Sequence, residues 1–192
     1  MRRALLLPLA LLTASFAPHN AGAQDIAQTR DRAVHALVDE QLSLEHRARP
    51  AERRSVTLVS VNTGESAVLS TWADVPDEAS MLAAKHIMRD HDDKHTHEIS
   101  PDLVSLLVRL GQHTGGSLEL VSGYRHPQHP WDKNFHNKAM AADVRAKGLS
   151  TVALRKLARD LHAPGLGYYP VSKMIHVDVR AVPFSWTDWS RP

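Results

Sequence analysis

Four short motifs in the second half of this 192-residue chain decide how it folds: Ser122-Gly-Tyr-Arg125, His136-Asn-Lys-Ala-Met-Ala-Ala-Asp143, Gly165-Leu-Gly-Tyr-Tyr-Pro170 and His176-Val-Asp178. On one helix, the spacing between His136 and Asp143 would separate them by about 10.5 Å. They can converge only if His136 lies on a loop and Asp143 on the strand that follows. His176 and Asp178 stand at positions i and i+2 of a strand, so they point to the same face.

The chain contains no cysteine and 13 histidines. Disulfide scaffolds, zinc ribbons and thiol nucleophiles are therefore excluded, and any metal site must use His, Asp or Glu. Two His and one Asp from neighbouring strands form a three-ligand site, the catalytic form for zinc, because it leaves a fourth position for water. Spacing alone indicates such a site only modestly, since 13 histidines produce an H-x-D triplet by chance.

Periodicity predicts an α+β domain with a central antiparallel sheet flanked by helices. Alternating, β-branched residues indicate a hairpin at 55–61 and 66–72, with the turn Asn62-Thr-Gly-Glu65 between its strands. We expect N-caps at Ser100 and Ser150. The remaining predicted elements are strands at 117–121, 141–144, 167–169 and 174–179, and helices at 77–90, 101–113 and 151–161.

The N-terminal segment has the pattern of a secretory signal peptide over residues 1–23. Arg2 and Arg3 precede the apolar run 4–12, and Ala21-Gly-Ala23 supplies the small residues that a signal peptidase accepts. The apolar run is too short to span a bilayer, and no cysteine is available for a lipid anchor. Residues 24–54 then predict a helical arm followed by a linker. We therefore expect a periplasmic or secreted protein with no stable membrane anchor.

Overall charge gives no basis for nucleic-acid binding. The formal net charge is +2, and removal of residues 1–23 would take away two arginines and no acid, which leaves a neutral chain. A nucleic-acid partner is therefore not expected.

These residues, in this order, resemble the murein endopeptidase K branch of the M15 zinc peptidases. The resemblance covers roughly residues 55–180, and four ordered motifs are far more specific than any one of them. It implies that residues 55–192 form a zinc peptidase domain with a fold like that of D-Ala-D-Ala carboxypeptidases and hedgehog signalling domains. The implied activity is zinc-dependent hydrolysis of peptide bonds in the stem peptides or cross-links of peptidoglycan, which would be the partner of this protein.

The resemblance also implies roles for individual residues. The zinc ligands would be His136, Asp143 and His176. Asp178 would be either an outer group that orients a ligand or the base that accepts the proton of water. Arg125 would bind or polarise the substrate carbonyl, a role that suits a fixed cation near a developing oxyanion. Tyr168 and Tyr169 would line the substrate cleft.

This chain departs from the pattern of the branch at several positions. Ala139 replaces a glycine, which is tolerable unless the backbone there needs a positive φ, and Asn134 replaces a small serine. Arg180 also replaces a glycine. Lys173 stands where many M15 peptidases carry a glutamate, so Asp178 is the nearest candidate for the general base, and the loop residues His126 and His129 come next.

Two other classes of function remain open. The departures at Ala139, Lys173 and Arg180 are those expected of a non-catalytic murein-binding module that retains the fold and the metal. A hydrolase of a different secreted peptide is the other. The segment Asp90–Glu98 is dense in possible metal ligands, but it is a polar stretch between two predicted helices. We expect it to be a solvated loop, and adventitious metal binding is the alternative.

Overall fold

The computed structural model describes residues 52–132 and 134–190, which belong to one compact unit. The predicted signal peptide and almost all of the predicted helical arm lie outside the described residues. No helix in the described part of the chain is long and apolar enough to cross a membrane. The elements are β1 Arg53–Ser60, β2 Ser66–Trp72, β3 Val75–Pro76, α1 Glu78–Ile87, α2 Pro101–Gln112, β4 Ser117–Ser122, β5 Ala141–Arg145, α3 Thr151–Asp160, β6 Gly165–Tyr169, β7 Met174–Asp178 and β8 Phe184–Thr187.

The described strands form one mixed sheet in the order β3-β2-β1-β4-β5-β7-β6-β8. The expectation of a central antiparallel sheet is wrong for two pairings, because β1 pairs with β4 and β6 pairs with β8 in parallel. The other pairings of the described strands are antiparallel. Parallel neighbours need a long crossover connection, and β2, β3, α1 and α2 provide one between β1 and β4. The α+β class itself agrees with the structure. Strands β3 and β8 were not predicted, since one is two residues long and the other is in the tail.

The apolar core lies between the sheet and the three described helices. Cross-strand partners such as Val56 and Leu69, or Leu58 and Leu118, bury their side chains on the same face. Helix α2 adds a stripe of buried leucines and valines, and α3 adds Leu154. Burial of a leucine contributes roughly 1.5–3 kcal/mol. Alternate residues of a strand face opposite sides of the sheet. The polar side chains of β5 and β7 therefore lie on the face opposite the core.

The helix N-termini follow local side-chain chemistry. Ser150 accepts a hydrogen bond from the backbone of Ala153 at 3.2 Å, which confirms its prediction as an N-cap. Ser100 occupies the N-cap position of α2 but makes no capping hydrogen bond through its side chain. The cap of α1, Asp77, was not predicted, and its carboxylate accepts from the backbone of Ser80 at 2.7 Å.

An irregularity in β4 changes which side chains face the polar side of the sheet. The partner of Leu120 is Val144, yet the partner of Ser122 is Asp143, so the register shifts between them. A bulge of this kind re-aims the side chains that follow it. Ser122 therefore lies beside Asp143, and the chain continues along the polar face into Arg125.

Two glycines of β6 make room on the polar face of the sheet. Gly165 pairs with Asp178, and a Cβ at Gly165 would overlap that carboxylate. Gly167 pairs with His176 on one side and with Trp186 of β8 on the other. A Cβ at Gly167 would lie 2.6 Å from the Trp186 ring. Both glycines of the G-x-G motif are thus required, because the side chains of Asp178 and Trp186 approach the β6 backbone closely.

We predict that Gly165→Ala lowers the free energy of unfolding by about 2–3 kcal/mol, because the added methyl group overpacks a filled space. Urea denaturation followed by circular dichroism measures the change. Gly64→Ala is the control: it has φ +70 and no heavy atom near its added Cβ, so only backbone strain of about 1 kcal/mol is expected. Equal unfolding midpoints for wild type and Gly165→Ala would contradict the steric argument.

Candidate metal centre

Three buried side chains meet on the polar face of the sheet. His136 lies on the loop before β5, while Asp143 of β5 and His176 of β7 are direct cross-strand partners. His136 Nε2 lies 3.0 Å from His176 Nδ1 and 3.4 Å from Asp143 Oδ1, and His176 Nδ1 lies 3.0 Å from the same oxygen. The structure therefore brings together the three residues that were expected to be metal ligands.

Each of these side chains has its second polar atom held by another part of the protein. His136 Nδ1 donates to the carbonyl of Gly123 at 2.6 Å. Asp143 Oδ2 accepts from Arg125 at 2.6 Å, and His176 Nε2 lies 2.9 Å from Asp178 Oδ2. Such outer partners fix the tautomer and orientation of metal-binding groups. The three remaining atoms, His136 Nε2, Asp143 Oδ1 and His176 Nδ1, face one another and form the inner triangle of the centre; they are its inner atoms.

The three inner atoms fit a zinc ion. Bonds of 2.0–2.1 Å in tetrahedral geometry place ligand atoms about 3.3 Å apart, and the observed separations are 3.0–3.4 Å. Two neutral imidazoles and one carboxylate are a donor set that zinc accepts, and three protein ligands leave one coordination position open. The residues present therefore fit a catalytic rather than a closed structural zinc site.

The motif Ser122–Arg125 holds the His136 side of this centre. Tyr124 donates its backbone N–H to the carbonyl of Met88 at 2.7 Å, and a Cβ at Gly123 would lie 2.5 Å from the same oxygen. A glycine is thus needed where the chain passes α1. Ser122 Oγ accepts from Arg125 Nε at 2.9 Å, which directs the guanidinium group towards Asp143.

Asp178 is fully buried behind His176. Its Oδ1 accepts from the backbone N–H of Arg180 at 3.1 Å and from Arg180 Nε at 2.8 Å. Burial raises the pKa of Asp178, but the hydrogen bonds from Arg180 and His176 outweigh it and lower the pKa to about 2. Asp178 is therefore a carboxylate engaged on both oxygens.

The electrostatics of the inner atoms favour an ionised carboxylate. Burial alone raises the pKa of Asp143, but hydrogen bonds from His136 and His176 outweigh it and hold the pKa well below its usual range. Burial lowers the pKa of His176, and its contacts with Asp143 and Asp178 raise it by more. The Asp143 carboxylate is therefore ionised and stabilises a positive charge beside it, either a proton on His176 or a metal ion.

An open cleft of about 370 Å³ leads to the inner atoms. Arg125 contributes to its wall and keeps its side chain 45% exposed. Tyr169 also lines the cleft, and its hydroxyl accepts from Trp186 Nε1 at 3.2 Å. Tyr168 does not line it, contrary to expectation, because alternate residues of a strand face opposite sides. Its ring packs instead against the Arg155 guanidinium, at 4.9 Å.

Sequence reasoning missed two residues that complete the cleft. The Trp186 ring lies 5.1 Å from the His176 ring. The Arg180 guanidinium lies 4.6–5.6 Å from the rings of Phe135, Phe184 and Trp186 while it binds Asp178. The alternation of β7 predicted that Asp178 shares a face with His176. No local pattern could show that β8, which carries Trp186, pairs with β6.

The departures from the family pattern have distinct structural outcomes. Ala139 adopts φ 55 and is completely buried, so this position does need a left-handed backbone, at a cost of about 1–2 kcal/mol. Lys173 is exposed in the β6–β7 turn with φ 53 and does not line the cleft. His126 and His129 do not line it either, since His126 bonds to Asp93 and His129 stacks on Trp131.

Comparison with known proteins identifies a family and similar sequences. The family model for peptidoglycan L,D-endopeptidase MepK matches residues 48–186. The protein of that name from Escherichia coli (strain K12) is 30% identical over 141 residues, which are 65% of this chain and 76% of that protein. A probable peptidoglycan L,D-endopeptidase MepK from Haemophilus influenzae is 28% identical over 145 residues, 67% of this chain and 77% of its own.

No solved structure matches the chain. The family model nevertheless spans all four motifs, from Ser122 to Asp178, and the resemblance noted from the sequence is confirmed. The chain therefore belongs to the M15 peptidase family that the peptidoglycan L,D-endopeptidase MepK model defines.

Proposed function

We propose that this protein is a zinc-dependent endopeptidase that cleaves an L,D-peptide bond of peptidoglycan. The observation that carries the proposal is the triangle of His136 Nε2, His176 Nδ1 and Asp143 Oδ1 at the base of an open cleft. Membership of a peptidase family, with relatives named for this activity, supports the substrate class. When bound, zinc supplies a Lewis acid that polarises a carbonyl and acidifies water.

Arg125 has a double role in this proposal. One guanidinium nitrogen holds Asp143 Oδ2, and Nε is held by Ser122. The group is still half exposed at the cleft wall, so its remaining N–H donors are available to a substrate carbonyl. A fixed cation there stabilises the negative charge that develops on the carbonyl oxygen during hydrolysis.

Asp178 fits the role of a positioning residue better than that of the base. Its Oδ2 contacts His176 Nε2, the nitrogen that faces away from the inner triangle, and its Oδ1 is held by Arg180. A carboxylate that bonds the outer nitrogen of a histidine ligand fixes the ring and raises its basicity. We propose that Asp178 acts through His176, and that Arg180 neutralises its charge.

Export follows from the proposed substrate, because peptidoglycan lies outside the cytoplasm. The predicted signal peptide, residues 1–23, supports a periplasmic or secreted location. We propose that the protein is exported and works as a chain that begins near Gln24.

We predict that His136→Ala and His176→Ala each lose one equivalent of tightly bound zinc, because each removes an inner ligand atom. Metal analysis after dialysis measures the content. His113→Ala is the control, since this histidine is exposed after α2, and it should keep the wild-type content. Wild-type zinc in both ligand variants would contradict the site.

Purified peptidoglycan should release muropeptides when incubated with the wild-type protein, and a chelator should stop the release. Arg125→Ala, assayed at saturating zinc, should hydrolyse about 10²–10³-fold more slowly, since one oxyanion donor is lost. Arg159→Ala, an exposed arginine of α3, should retain the wild-type rate. A zinc-loaded wild type that binds peptidoglycan but releases no fragment would instead favour the murein-binding module.

Asp178→Asn should weaken zinc affinity by about 10–100-fold, the usual effect of losing an outer partner of a ligand. Zinc competition with a chromophoric chelator measures it. Asp102→Asn, at an exposed position of α2, is the control. Unchanged zinc affinity with hydrolysis slowed about 10²–10⁴-fold would identify Asp178 as the general base and overturn the positioning role.

A further inference from the structure

A second group of side chains that could hold a metal ion lies outside the cleft. Asp93 and His95 belong to the loop between α1 and α2, and His126 directly follows Arg125. One ligand atom from each residue lies within 4.8 Å of the other two. None of the three lines the cleft. We propose that they form a second site for a borderline divalent cation, Zn²⁺, Ni²⁺ or Cu²⁺.

One oxygen of the Asp93 carboxylate contacts both imidazole rings. Asp93 Oδ2 lies 2.7 Å from His126 Nδ1 and 3.0 Å from His95 Nδ1. The other carboxylate oxygen, Oδ1, accepts the backbone N–H of His95 at 2.9 Å. Asp93 resembles Asp143 of the buried centre in this respect. In each carboxylate, one oxygen accepts a hydrogen bond from the protein and the other faces two imidazole nitrogens.

The two imidazole rings are stacked, with centroids 3.9 Å apart and planes 21° apart. Two imidazolium ions in this arrangement would repel each other, so at least one ring is neutral. Because a ring-nitrogen lone pair lies in its ring plane, one ring must rotate about its side-chain bonds before both Nδ1 atoms bind the same cation. Imidazole nitrogens with one carboxylate suit Zn²⁺, Ni²⁺ and Cu²⁺, while Mg²⁺ prefers oxygen ligands alone. The donor set therefore selects the class of metal.

A buried carboxylate holds the loop and the His126 segment in place before any metal binds. Asp90 is 6% exposed, and its Oδ1 accepts the backbone N–H groups of Asp92 and Asp93 at 2.7 and 3.2 Å. Its Oδ2 accepts the backbone N–H of His126 at 2.7 Å, and its own N–H donates to the His95 carbonyl. All three ligand residues are thus tied to one anchor, which reduces the entropy lost on metal binding.

Residues 91–98 are exposed, which agrees with the solvated loop expected for Asp90–Glu98, whereas Asp90 itself is buried. The expectation considered ligands from that segment only, and its own residues supply just two of the three donors. His126 arrives from the segment after β4, 36 residues away from Asp90. A metal bound here would cross-link the loop to the segment that carries Arg125.

The test uses His136→Ala, which removes a ligand of the buried centre, after metal has been stripped with a chelator. Calorimetric titration with ZnCl₂ should show one equivalent bound, and MgCl₂ should show none. Adding His126→Ala or Asp93→Asn should weaken the zinc affinity by about 100-fold or more. Loss of a group that only hydrogen-bonds a metal ligand costs about 10–100-fold, so a larger loss indicates that the ligand itself was removed. His97→Ala, a matched change at another exposed position of the same loop, should leave it unchanged.

Two further readouts make the result specific. Zinc should raise the thermal unfolding temperature of His136→Ala, and NMR should show that the Nδ1 resonances of His95 and His126 shift together. A folded His136→Ala that binds no zinc, or an affinity that His126→Ala leaves unchanged, would overturn the second site. The buried centre is tested separately, because His126→Ala in the otherwise wild-type chain should keep the zinc held through His136.

Discussion

The centre depends on the register of β7 between β5 and β6. Asp143 stands opposite His176, so their side chains start from Cβ atoms about 5 Å apart on the same face. Two residues further along β7, Asp178 stands between Ala141 and Gly165, which are small enough to leave space for its carboxylate. A slip of one residue would turn His176 and Asp178 to the apolar face. The core on that face therefore holds the ligands in place, since a slipped strand would have to bury charge against leucine.

Burying two carboxylates is costly unless each is paired and hydrogen-bonded. Asp143 is paired with Arg125 and faces two histidines. Asp178 is paired with Arg180 and His176. Arg180 replaces a glycine of the family pattern. Its guanidinium group forms an ion pair with Asp178 and cation–π contacts with three aromatic rings. The departure thus gives Asp178 a charged partner at the wall of the cleft.

The loop that presents His136 also carries backbone strain. Ala139 holds a left-handed conformation although it has a Cβ. Its N–H donates to the His136 carbonyl, and its own carbonyl accepts from Ser100, both at 3.0 Å. These bonds tie the His136 turn to the start of α2, so the surrounding structure maintains the strained residue. Strain of this kind is common where a site must hold a ligand in one orientation.

The sequence by itself determined most of the elements, because they depend on short-range patterns, and its resemblance to a known family indicated the three residues of the inner triangle. Alternation located β1, β2 and β7, and the spacing from His136 to Asp143 required a loop followed by a strand. Only the tertiary structure decided the parallel pairing of β1 with β4, the return of β8 beside β6, and the exclusion of Tyr168 from the cleft. It also brought His126 to Asp93 and Arg180 to the aromatic rings. These contacts join segments that are far apart in the chain. They depend on long-range strand pairing and side-chain packing, and the local periodicity of a sequence encodes neither.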